Sequence, residues 1–136
     1  MSNGPLFGMK VLVVDDDPVV LDLLGEVLTA AGAWIVKAAD ATAAVRALAD
    51  ERPDMLVCDM NLPGGGGAWV VDRAVAFDPG IGARTVVVSG EVPSDADAAR
   101  LHAAGATLLP KPFRLSALTR TLSARRIDVD QPTAGG

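Results

Sequence analysis

Five short runs of apolar, largely β-branched residues punctuate the chain: Lys10–Val14, Trp34–Ala38, Met55–Cys58, Thr85–Val88 and Thr107–Leu109. Each is nearly continuous in apolar character instead of alternating. An alternating strand keeps one face in water, whereas a continuous one is buried on both faces. Between these runs lie segments with helical spacing. The first carries Val20, Leu23, Leu24, Val27, Leu28 and Ala31, an i, i+3, i+4, i+7 stripe. Asp17 is placed to cap it, Pro18 suits its first position and Gly32 its left-handed end. The second helix is expected between Asp40 and Pro53, with Val45, Leu48 and Ala49 facing inward. The third is expected from about Ala68 to Phe77, stopped by Pro79-Gly80. Ser94 opens the fourth, with Asp97 three residues on, and Gly105 closes it. The fifth follows Pro112 and carries Leu115, Leu118 and Leu122.

The alternation is (βα)5. Parallel strands need crossover helices, and crossovers are right-handed, so the expected fold is a doubly wound α/β domain. A length of 136 residues suits one such domain. Residues 9–124 read as the domain, with flexible extensions at 1–8 and 125–136. The single cysteine, Cys58, cannot close an internal disulfide, which points to a reducing, cytoplasmic setting. No run reaches the length of a membrane span, and the start MSNGPLFG does not read as a signal peptide. A net charge of −5 without a basic run argues against direct nucleic-acid binding.

Ligands of open parallel sheets sit beyond the carboxyl ends of the strands. Asp15, Asp16 and Asp17 follow the first run. Asp59-Met60-Asn61-Leu62-Pro63 and four glycines follow the third, Ser89-Gly90-Glu91 the fourth, and Lys111-Pro112-Phe113 the fifth. Consecutive like charges at a strand end repel one another and point to a cation or a proton task. A carboxylate can attack phosphorus in line and hold an aspartyl phosphate, and Mg²⁺ prefers the oxygen ligands that carboxylates and phosphoryl groups provide.

This set of motifs resembles the receiver domain of two-component response regulators over about residues 9–124. The resemblance implies a flavodoxin-like sheet of strand order 2-1-3-4-5. It implies that Asp59 is the phosphoacceptor, with Ser89 and Lys111 contacting the phosphoryl oxygens. It implies Mg²⁺ held by Asp15, Asp16, Asp59 and the backbone carbonyl of Asn61, and a cis Lys111–Pro112 bond. The implied activity is a signalling switch, not a classical enzyme. It is loaded from a sensor histidine kinase or histidine phosphotransfer protein, slowly loses its phosphate, and changes its binding to a downstream protein. The resemblance fits a stand-alone receiver or one belonging to a hybrid kinase or larger regulator.

The sequence departs from the family pattern twice. Gly64–Gly67 occupies a stretch that often holds an acidic residue, so a mobile loop and an uncapped helix are expected. Leu108 stands where many receivers have an aromatic switch residue; it is expected to stay packed, leaving Ser89, Gly90 and the following loop to carry the signal. Two other readings compete. Asp15-Asp16-Asp17 contains an Asp-x-Asp, as in haloacid-dehalogenase-type phosphohydrolases, and a receiver without a working acceptor would be a pure interaction module. Cys58 reads as a core thiol, His102 as a surface or partly packed residue, and Trp69 as core packing or a partner surface.

Overall fold

The computed structural model describes residues 4–126. Its strands are β1 (Lys10–Val14), β2 (Trp34–Ala38), β3 (Met55–Asp59), β4 (Thr85–Ser89) and β5 (Thr107–Pro110). Its helices are α1 (Pro18–Ala30), α2 (Ala41–Glu51), α3 (Gly66–Phe77), α4 (Asp95–Ala104) and α5 (Leu115–Ser123). A short 3-10 helix, Pro79–Arg84, links α3 to β4. All strands pair in parallel in the order β2-β1-β3-β4-β5. The expected (βα)5 fold and strand order are therefore both present.

Period-two geometry explains the continuous apolar runs. Val11 and Val13 point to the α1 and α5 side, where they meet Leu24, Leu28, Leu118 and Leu122. Leu12 and Val14 point the other way, toward Ala44, Leu48, Val71 and Ala74 of α2 and α3. A polar residue at any of these positions would be desolvated on one face or the other. This rule weakens at the edges of the sheet. Trp34 on edge strand β2 is 71% exposed, and Leu108 on edge strand β5 is 38% exposed. Leu108 was expected to be packed; on the edge strand it lacks a neighbouring strand on one side and meets solvent.

The helix ends follow the local chemistry. Asp17 accepts the Val19 amide at 2.9 Å, Asp40 the Ala43 amide at 2.7 Å and Ser94 the Asp97 amide at 3.1 Å. Gly32 and Gly105 take positive φ after α1 and α4. Two inward assignments shift. Leu21, Leu24 and Leu28 form the buried stripe of α1, while Leu23 is 45% exposed. On α2 the buried residues are Ala41, Ala44 and Leu48, and Ala49 faces outward. The spacing gives the width of each apolar stripe, and the rotation of the helix against the sheet decides which of its members are buried.

Residues 4–8 belong to the stretch read from sequence as a flexible extension, yet they form a packed turn. Leu6 is fully buried, its amide donates to Ala31 O at 2.8 Å, and Arg126 donates to the carbonyls of Pro5 and Phe7 at 3.0 and 2.9 Å. Of the predicted C-terminal tail, only Arg125 and Arg126 lie within the described residues.

Among the glycines that close approach requires, Gly82 is the most tightly confined. A Cβ built on Gly82 would lie 1.9 Å from the carbonyl oxygen of Ala104 at the end of α4. Both groups are backbone, so neither can rotate away. Gly82→Ala is expected to cost ~3 kcal/mol, at the upper end of usual overpacking, and to lower Tm by roughly 10 °C. Thermal unfolding followed by circular dichroism checks this; an unchanged Tm would mean that the contact between α4 and the 3-10 helix is not tight.

Candidate phosphoacceptor site

The acids sit where the strands end. Because β1 and β3 are neighbours, with Val14 opposite Cys58, the residues that follow emerge side by side. One carboxylate oxygen from each of Asp15, Asp16 and Asp59 falls within 4.8 Å of the others. Asp15 is 2% exposed and Asp59 6% exposed, while Asp16 is exposed to solvent.

The hydrogen bonds around the acids are unevenly shared. Asp15 Oδ1 accepts the Asp17 amide at 2.9 Å, but Asp15 Oδ2 is buried with no hydrogen-bond partner among the described residues. Burial pushes the Asp15 carboxyl above the usual carboxylate range; the Asp17 amide opposes the shift and the Asp59 charge adds to it. Asp59 Oδ1 accepts the Asn61 amide at 3.1 Å, and Asp59 Oδ2 pairs with Lys111 Nζ at 3.4 Å. Lys111 reaches this position because its own amide donates to Ser89 O at 2.8 Å, which ties the end of β5 to the end of β4. The Lys111–Pro112 bond is cis, as expected.

An orphaned buried carboxylate oxygen among three converging acids fits a hard divalent cation. Oxygen donors, negative charge and an unfilled coordination direction are what such an ion requires. Asn61 and Asp16 line one open cavity of about 460 Å³ with Asp97, the third residue of α4. From the sequence Asp97 was read only as a capping partner of Ser94. Only the packing of α4 beside α3 brings it there, and Arg100 joins the two helices by bonding both Asp72 and Asp97.

Ser89 lies at the adjacent strand end but is turned inward on its own loop. Its hydroxyl donates to Glu91 O at 2.6 Å and accepts the Glu91 amide at 3.2 Å. To bond a phosphoryl oxygen, it has to release the Glu91 carbonyl. Asp17 is spent on capping α1, which removes one acid of the Asp-x-Asp reading. Gly64, Gly65 and Gly66 all have positive φ, so the glycine run meets a backbone requirement, and α3 begins at Gly66 without a side-chain cap. Cys58 is a buried core thiol whose pKa is pushed up by burial and by the neighbouring Asp59 and Asp15 charges. Trp69 is half-buried against the core, and His102 is exposed.

Known proteins resemble this chain in sequence and in fold. The family model of the response regulator receiver domain matches residues 11–123. The transcriptional regulatory protein PrrA of Mycobacterium tuberculosis is 36% identical over 115 residues, covering 85% of this chain and 48% of PrrA. The sporulation initiation phosphotransferase F of Bacillus subtilis is 32% identical over 104 residues, covering 76% of this chain and 82% of its own length. A CheY-like receiver domain from Methanospirillum hungatei superimposes with a TM-score of 0.79 at 24% identity, covering 86% of this chain and 92% of that one. This last likeness concerns the fold alone. The chain spans about half the length of the PrrA relatives it matches. With the five-stranded order, the clustered acids and the lysine facing them, these matches place the chain in the family of response regulator receiver domains.

Proposed function

We propose that this receiver acts as a phospho-acceptor switch through Asp59. The observation that carries the reading is the arrangement of Asp59, bonded to Lys111 Nζ at 3.4 Å and clustered with Asp15 and Asp16 around an unsatisfied carboxylate oxygen. In the proposed reaction a carboxylate oxygen of Asp59 forms a bond to phosphorus as the bond to the donor breaks. With a sensor histidine kinase or histidine phosphotransfer protein as donor, the leaving group is the imidazole nitrogen. The carboxylates of Asp15, Asp16 and Asp59 and the Asn61 carbonyl would hold Mg²⁺. Mg²⁺ bound there offsets negative charge on the acids and on the phosphoryl oxygens.

Lys111 orients Asp59 in the resting state and pairs with a phosphoryl oxygen after transfer. Ser89 exchanges Glu91 O for a phosphoryl oxygen, and the loop into α4 moves with it. That movement is the output, altering the affinity of a downstream protein that distinguishes the two loop states. Slow hydrolysis of the acyl phosphate resets the switch. The receiver is taken to operate in the cytoplasm; among the described residues no helix is long and apolar enough to cross a membrane.

Incubation with acetyl phosphate and Mg²⁺, followed by intact-mass measurement, tests the reading. One added phosphoryl group is expected, abolished by EDTA. Continued turnover of the donor without a stable adduct favours a phosphohydrolase, and no reaction at all favours a pure interaction module.

A further inference from the structure

Beside the phosphoacceptor site runs an apolar groove of about 680 Å³, of whose lining only Lys111 belongs to the acceptor chemistry. Val20, Leu23 and Leu24 of α1 form one wall, and Phe113 and Leu115 the other. Val88 and Gly90, which flank Ser89, lie along it, and Lys111 stands at its end. No Asp or Glu is among its lining residues. Lys111 is shared by the two sites, since its ammonium also pairs with Asp59 Oδ2. A trough that is apolar along its walls and carries a single cation next to the nucleophile is complementary to an anion with an apolar tail. Leu23 adds to this fit, because a leucine 45% exposed on a helix gains from any apolar group laid across it.

We infer that the groove accepts the acyl chain of small-molecule acyl phosphates, so that this receiver prefers donors with longer apolar acyl groups over acetyl phosphate. The inference rests on Asp59 being the acceptor. The step balances without a further reactant. A carboxylate oxygen of Asp59 bonds to phosphorus, and the bond from phosphorus to the acyl carboxyl oxygen breaks. The electron pair leaves with the departing carboxylate, and no proton is transferred. The acyl chain lies on the leaving group, so the groove raises the rate by binding the donor beside Lys111 before transfer.

The test compares acetyl phosphate with butyryl phosphate, both with Mg²⁺, following the rate of mass gain at subsaturating donor. The two leaving carboxylates have nearly the same acidity, so a difference in rate reports binding of the chain. Burying two extra methylenes predicts a rate about tenfold higher with butyryl phosphate. Leu23→Asn replaces an exposed side chain, so the fold is retained, with an unchanged Tm as control. It should lower the butyryl rate severalfold and leave the acetyl rate within about twofold. Equal rates with both donors on the unmodified protein, or a butyryl preference that survives Leu23→Asn, overturn the inference while leaving Asp59 as acceptor. No labelling from either donor overturns the acceptor reading, and the groove proposal with it.

Discussion

Asp59→Asn is expected to abolish phosphoryl labelling completely, leaving no mass gain from acetyl phosphate and Mg²⁺ under conditions that label the unmodified protein. The asparagine amide is a far weaker nucleophile than the carboxylate. The amide can still accept the Asn61 N–H through its oxygen, so the loop after β3 keeps its bond and the fold should persist. The outcome separates loss of the acceptor from loss of structure, provided a far-ultraviolet spectrum and Tm accompany the mass measurement. Normal labelling of this variant, mapped by peptide analysis to Asp15 or Asp16, would refute the assignment.

Asp15→Asn is expected to raise stability. Without a metal, three carboxylates compete in one pocket, and Asp15 Oδ2 has no donor to offset its burial. Two unit charges 4–5 Å apart repel by about 3–4 kcal/mol at an effective dielectric of 20, before solvent and Lys111 screen them. Asparagine removes the charge and keeps an acceptor for the Asp17 amide. Its new N–H₂ group is a donor among clustered carboxylates. In EDTA the variant should gain ~1–3 kcal/mol, raising Tm by roughly 5 °C or more. Millimolar Mg²⁺ should raise the Tm of the unmodified protein by binding only its folded state, and should raise that of Asp15→Asn much less. An unmodified protein whose Tm is the same in Mg²⁺ and EDTA would exclude a metal role for this pocket.

The sequence alone determined the order of elements and the ends of most helices. Those features are local. Asp17, Asp40 and Ser94 satisfy amides two or three residues away, and Gly32 and Gly105 supply positive φ where α1 and α4 stop. The continuous runs at residues 10–14 and 85–88 also pointed to strands buried on both faces, and hence to a parallel sheet with helices on each side. Asp15, Asp16, Asp59, Ser89 and Lys111 were singled out because each lies at or just past the carboxyl end of a strand, and parallel topology gathers those positions at one edge; the roles proposed for them came from the family resemblance.

The tertiary structure decided what depends on contact across the chain. Leu23, Ala49 and Leu108 have residue types suited to a core, but each points to solvent because of how its helix or edge strand lies on its neighbours. Sequence periodicity gives the width of an apolar stripe, not its rotation against the sheet. Leu6 lies near the chain start, yet the carbonyl of Ala31 and the guanidinium of Arg126 hold its turn in place. Ser89 is at the predicted strand end, but only the loop geometry shows its hydroxyl engaged with Glu91. The approach of Asp97 to Asp16 and the groove between α1 and Phe113 arise from helices packing side by side. Such contacts join residues tens of positions apart and leave no periodic or spacing signal in the sequence.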